Sequence, residues 1–146
     1  MYSYKYPRPA VTADVAILTN DLKRVLLIRR GNDPFKDMWA LPGGFFDMDD
    51  FDMMATAKRE LMEETSLTDI PLHEICTASR EDRDPRGRTI SVVFAAQVDP
   101  SAVHPKGGDD AADAQWFDLD SLPPLAFDHK EIMEKVIRWA HSQKEC

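Results

Sequence analysis

Three glutamates, Glu60, Glu63 and Glu64, stand in the run Arg59-Glu60-Leu61-Met62-Glu63-Glu64. On a helix that turns about 100° per residue they fall on one stripe, within roughly a third of the circumference. Like charges so spaced destabilise an isolated helix by about 0.2–0.5 kcal/mol per pair, so the arrangement suits a divalent cation that neutralises them. Glutamate-rich helix faces also serve solubility alone, and the six residues by themselves do not separate the two. Upstream, Leu41-Pro42-Gly43-Gly44-Phe45-Phe46 adds a second part: paired glycines after an apolar run let backbone approach a ligand, and their carbonyls are hard oxygen donors suited to the same ion. Loop and helix together make a metal site the first chemistry to consider.

The elements that must position these groups can be read from patterning. Val11 to Leu18 and Val25 to Arg29 are runs rich in Val, Ile and Leu around Asn20-Asp21, which predicts a hairpin. A short apolar segment, Trp39-Ala40-Leu41, precedes the paired glycines. The first helix is predicted from near Asp50 or Asp52, where an aspartate can cap free N–H groups, to about Thr65. Met54, Ala57 and Leu61 supply its apolar stripe, away from the glutamates. Leu72 to Ser79 and Thr89 to Val98 are further strand candidates, joined by a polar turn with four arginines, Arg80, Arg83, Arg86 and Arg88. Gln115-Trp116-Phe117 reads as a short strand or strand end. Asp128 to about Gln143 reads as an amphipathic helix with Ile132, Val136, Ile137, Trp139 and Ala140 toward the core. Strands before and after one helix, with a second helix last, predict an α/β (α+β) sandwich formed by a single domain over residues 1–146.

Residues Gly44 through Leu67 resemble the Nudix box, G-x5-E-x7-R-E-U-x-E-E-x-G-U with U aliphatic. The match is strong over Gly43-Gly44 and over Arg59 to Thr65, and departs in two places. Asp50 stands in the place of the first glutamate, with eight residues between it and Arg59 where the pattern has seven, so Asp47, Asp49, Asp50 and Asp52 all compete for that glutamate's work. Ser66 takes the place of the late glycine, at a helix end that favours left-handed backbone. The resemblance implies the Nudix-type α/β/α sandwich, a mixed β-sheet between helices. It further implies a divalent-metal-dependent hydrolase of phosphoanhydrides. Gly44, Glu60, Glu63 and Glu64 would hold Mg2+, or Mn2+, which accepts the same ligands. Arg59 would orient a glutamate, and the general base would be Glu63 or an acid of the loop Gly107 to Asp113, with Asp110 taken as the candidate and Asp109 and Asp113 as neighbours.

Substrate choice lies outside the box. The segments Arg29 to Lys36, Asp82 to Arg88 and Leu122 to His129 resemble the branch that contains ADP-ribose pyrophosphatases, and recur in Nudix-related regulators that bind ADP-ribose-type ligands. Arg29, Phe35, Arg83, Arg86 and Arg88 are the candidate substrate contacts, since arginine grips phosphate through two parallel N–H groups. For any one of the turn arginines, neutralising Asp82 or Asp84 is an equal alternative, and His129 can touch substrate or merely pack beside the second helix. The expected reaction is ADP-ribose to AMP and ribose 5-phosphate; the alternatives are a nucleoside triphosphate pyrophosphatase and a ligand-sensing module without turnover.

Composition restricts the partners. With 146 residues, 43% hydrophobic and 30% charged, the chain is of ordinary globular make-up. A net charge of −8 argues against a nucleic-acid polymer as partner, while a small anionic nucleotide remains compatible if cations and local arginines reverse the field. No apolar run approaches the ~18 residues of a membrane span, and Met1 to Pro7 has no signal-peptide core, so no membrane partner and a cytoplasmic location are expected. Cys76 and Cys146 make neither a metal spacing nor a disulfide framework. By the same resemblance the chain is a possible homodimer, and the aromatic segment Tyr2 to Tyr6 has a partner or its own domain to pack on.

Overall fold

A computed structural model describes residues 3–106 and 111–144. Strands β1 (Ala10–Thr19), β2 (Arg24–Arg30), β3 (Trp39–Ala40) and β4 (Gly43–Phe45) precede helix α1 (Met53–Thr65); β5 (His73–Ala78), β6 (Thr89–Val98) and β7 (Ala111–Asp118) follow, and α2 (His129–Lys144) comes last. The sheet runs β3-β2-β1-β6-β5, with β4 beside β1 and β7 beside β2. β1 and β6 lie parallel, from Ala10 opposite Thr89 to Thr19 opposite Val98, while the other pairings are antiparallel. This is the mixed sheet expected from the sequence.

Both faces of the sheet are covered, which is why β1 carries the unbroken apolar run Val15 to Leu18 instead of alternating throughout. Ala13, Val15, Ile17, Leu26 and Phe94 pack with Ala57 and Leu61 of α1. Ala16, Leu18, Val25, Leu27, Val93 and Ala95 pack with Ile132, Met133, Val136 and Ala140 of α2. Met133 joins this core unanticipated by the sequence reading, and Ile137 and Trp139 reach only its margin, half-buried.

Two local features bear on the site. Asp52 caps α1 by accepting a hydrogen bond from the Ala55 N–H, and Ser66 closes it with φ of 65°, its N–H donating to the Met62 carbonyl. A serine therefore adopts the left-handed turn for which glycine is the common residue. The paired glycines, expected in a loop, instead form β4, with Gly43 opposite Asp14 and Gly44 opposite Ala13. The absence of side chains lets them lie flat between β1 and α1: a β-carbon on Gly43 would meet the Ala13 carbonyl, and one on Gly44 would meet the Glu60 carboxylate.

Candidate active site

A cavity of about 580 Å3 opens where β4, the N-terminal end of α2 and the glutamate stripe of α1 meet. Its acidic wall contains Glu60, Glu63 and Glu64, and Arg30, Arg86, Phe127 and His129 also line it. Helical periodicity gives α1 two faces, so Ala57 and Leu61 are buried in the core while the glutamates turn toward the cavity.

Arg59 organises the acidic wall. Its Nε and Nη2 grip Asp50 at 2.9 and 2.8 Å, and Nη1 donates to Glu60 at 2.8 Å and Glu63 at 3.3 Å. The Phe45 carbonyl accepts a further bond from Nη2 at 3.1 Å. Of the four competing aspartates it is thus Asp50 that meets Arg59, and it also accepts from the Thr56 hydroxyl. The Arg59 hydrogen bonds hold Asp50 well below the usual carboxylate range, although partial burial works the other way. Asp52 is spent on the helix cap, and Asp47 accepts from the Asp49 N–H.

Glu64 lies deeper. It is 7% exposed, accepts from the Gly43 N–H at 2.8 Å, and is pushed up to about 8, first by burial and then by the nearby charges of Glu60 and Asp14. Burial likewise raises Glu60, against the pull of Arg59. Among the described residues no three acidic, histidine or cysteine side chains converge into a ready-made ion cage. With Arg59 drawing on Glu60 and Glu63, a positive charge already sits among the carboxylates. The donors nevertheless fit a hard divalent ion: two half-buried or buried carboxylates raised by burial, with glycine backbone laid directly against one of them.

The candidate substrate contacts separate. Arg86 lines the cavity, its Nε and Nη2 on Asp84 at 3.1 and 2.9 Å. Arg83 also reaches the lining but turns inward, 5% exposed, with two hydrogen bonds to Asp128 at 3.0 and 2.8 Å. Its partner is therefore neither Asp82 nor Asp84; Arg80 takes Asp82. Arg29 and Arg88 are exposed and not among the cavity residues, and Phe35 stands behind the wall, edge-on to Phe127 with ring centroids 4.8 Å apart. Asp113 accepts from the Ala114 N–H and from the Gln115 amide, away from the cavity. Asp109 and Asp110 lie outside the described residues.

Arg30 is the cavity residue that the sequence reading passed over in favour of Arg29. It donates through Nε to the Pro34 carbonyl at 2.7 Å, and its guanidinium carbon lies 4.9 Å from the centroid of the Phe127 ring. Arg86 approaches the same ring at 5.4 Å and Phe45 at 4.9 Å. Burial and the neighbouring Arg86 hold Arg30 below its ordinary value, the mark of two like charges converging on one space. Asp14 was also missed. It is buried beside Ser91, Arg83 and His129, and although burial alone would raise it, the His129 N–H, the Ser91 hydroxyl and the Arg83 charge keep it low.

This arrangement can be set beside known proteins. The NUDIX domain pattern matches residues 8–140. An ADP-ribose pyrophosphatase of Methanocaldococcus jannaschii is 45% identical over 134 residues, 92% of this chain and 76% of that protein. The ADPR responsive transcriptional repressor NtrR of Acinetobacter baylyi is 35% identical over 136 residues, 90% of this chain, which spans 54% of the repressor's length. In structure, the NUDIX domain of Shewanella oneidensis NrtR, complexed with ADP ribose, superposes with a TM-score of 0.84 at 31% identity, covering 92% of this chain and 91% of that one. Glutamate stripe, paired glycines and a mixed sheet between two helices all fall within the matched span, and the chain belongs to the NUDIX family.

Proposed function

We propose that this protein is a divalent-metal-dependent pyrophosphohydrolase that splits ADP-ribose into AMP and ribose 5-phosphate. The observation that carries the reading is one cavity lined both by Glu60, Glu63 and Glu64 and by Arg30 with Arg86. A diphosphate in it would meet arginine N–H donors as well as a carboxylate-bound cation. The substrate class is supported by 45% identity to an ADP-ribose pyrophosphatase and by the fold shared with an ADP-ribose complex.

Glu60, Glu64 and the Gly44 carbonyl are the proposed ligands of Mg2+, with Glu63 adding charge. Bound there, the ion neutralises the phosphate oxygens and lowers the pKa of an attacking water. Arg59 keeps Glu60 and Glu63 turned toward the cavity while Asp50 fixes Arg59. The proton of the attacking water goes to Glu63, whose side chain is 32% exposed and accessible from the cavity, or to Asp110. Phe127, with Phe35 behind it, offers an apolar surface for the nucleoside.

Purified protein with Mg2+ and a panel of ADP-ribose, NADH, ADP-sugars and nucleoside triphosphates, assayed for AMP and pyrophosphate, tests the assignment. AMP from ADP-ribose is the expected product, and Glu64→Gln should lower the rate at least about a hundredfold. Pyrophosphate from triphosphates alone would make the protein a triphosphate pyrophosphatase. Tight ADP-ribose binding with no turnover of any compound would make it a sensing module.

A further inference from the structure

His129, the first residue of α2, is 3% exposed and joins three parts of the fold. Its Nδ1 accepts a hydrogen bond from the Leu41 N–H at 3.0 Å. An amide can donate only to an unprotonated ring nitrogen, so the ring is neutral there and its proton sits on Nε2. Nε2 faces Asp14 Oδ2 at 3.6 Å, and that carboxylate is itself fixed by the Ser91 hydroxyl. Leu41 lies two residues before Gly43. The intervening Pro42 gives its carbonyl to the Val15 N–H at 2.8 Å, and the Gly43 N–H reaches Glu64 at 2.8 Å. The entry to β4 is thus pinned from α2, from β1 and from α1.

Proline at position 42 has no N–H, so the Leu41 amide is the backbone donor through which the chain ahead of Gly43 can be tied to α2. Leu41 is 2% exposed, so an amide left unpaired there would have no water to replace its partner. A shift of β4 would carry Gly44 off the Glu60 carboxylate and Gly43 off Glu64 together.

We propose that His129, oriented by Asp14, is a positioning residue that holds Leu41–Gly44 where Gly43 and Gly44 complete the divalent-ion site with Glu64 and Glu60. The inference rests on the metal-site reading given above. It places His129 in the support of that site and not in contact with the nucleotide. Removing a partner that orients a metal-binding group commonly costs 10–100-fold in affinity.

Two substitutions separate the two ends of the ring. In His129→Asn the amide oxygen falls near Nδ1 and keeps an acceptor for Leu41; in His129→Gln the amide falls near Nε2, serves Asp14 and leaves Leu41 unpaired. Binding of Mn2+, followed by loss of the free-ion electron paramagnetic resonance signal, should weaken at least tenfold in His129→Gln and stay within about threefold of wild type in His129→Asn. At saturating Mg2+ the KM for ADP-ribose should be unchanged in both. Melting curves with chelator confirm that each variant is folded at the assay temperature, and if either is unfolded there, the same pair is compared below its midpoint. Equal Mn2+ affinity in His129→Gln and wild type overturns the proposal, as does equal weakening in both variants. A raised KM with unaltered Mn2+ binding would make His129 a substrate contact instead. Absence of Mn2+ binding by the wild-type protein overturns the metal-site reading itself.

Discussion

The Glu60 carboxylate lies so close to the Gly44 α-carbon that a β-carbon there would fall on its atoms. The neighbouring Gly43 is crowded differently, by the Ala13 carbonyl and Asp14. Gly44→Ala pushes against the end of a flexible side chain, whereas Gly43→Ala pushes against backbone. The first substitution should therefore raise the Mg2+ concentration for half-maximal activity at least tenfold with little change in melting temperature. The second should cost about 1–3 kcal/mol of stability, as overpacking does. Denaturant unfolding and Mg2+ titration of both variants check this; equal loss of stability would show that Glu60 is as immovable as the strand.

Glu64 makes the metal-free protein sensitive to alkali. Its folded pKa, pushed up to about 8 first by burial, lies above the unfolded value near 4.3. Between those values the folded state holds a proton that the unfolded state has released, so its contribution is complete below about pH 4 and falls away as pH rises through 8. With chelator present, the melting temperature should drift down across pH 5 to 8, apart from other groups, and Glu64→Gln should remove that drift. Excess Mg2+ should compensate it, because the ion replaces the proton. A drift unchanged by Glu64→Gln would assign it elsewhere.

Asp50 behaves in the opposite sense. The Arg59 hydrogen bonds depress its folded pKa, so its contribution is present above the unfolded value of about 3.9 and is lost as pH falls below it. Asp50→Asn should flatten the acid limb of the stability profile. It should also free Arg59 to pull on Glu60 and Glu63, reducing kcat about tenfold. Unfolding curves from pH 2 to 7 and kcat at pH 8 measure the two effects; wild-type kcat in this variant would remove Asp50 from the support of the site.

What was legible in the sequence is local. The glutamate stripe, its apolar counterpart Ala57 and Leu61, and the spacing to Gly43-Gly44 follow from helix periodicity and short chain distances, and the folded elements keep them together. Thr89 to Val98 was legible because a strand covered on both faces carries an apolar run, here Val92 to Ala96. Asp14 and Arg30 were not, and His129 was singled out only with its role open between substrate and packing, because their meeting depends on pairings between β1, β4, β2 and α2 that no local pattern encodes. Choosing Arg29 over Arg30 illustrates the difficulty: the β2–β7 register shifts between these two residues, and a bulge upsets the alternation from which side-chain direction is read. Asp50 was one of four equivalent aspartates until folding placed Arg59 beside it.

The arginines provide the sharpest test of the substrate assignment. Arg30 and Arg86 converge on Phe127 inside the cavity, while Arg29 and Arg88 are exposed outside it. A hydrogen bond to a charged group contributes about 1.5–3 kcal/mol, which corresponds to roughly 10–100-fold in binding. Arg30→Ala and Arg86→Ala should each raise the KM for ADP-ribose by about that factor with kcat changed less, and Arg29→Ala and Arg88→Ala should leave both constants within about twofold. Lysine at 30 or 86 should recover only part of the loss, because a single ammonium cannot make paired, planar contacts to a diphosphate. Arg86 also carries two bonds to Asp84, so Asp84→Asn serves as its control: a similar KM effect there would mean that Arg86 acts by being held in place, and an effect confined to Arg86 would mean that its guanidinium meets the phosphates directly. Steady-state kinetics of the seven variants decides between the two pairs; larger losses at 29 and 88 than at 30 and 86 would place the diphosphate outside this cavity.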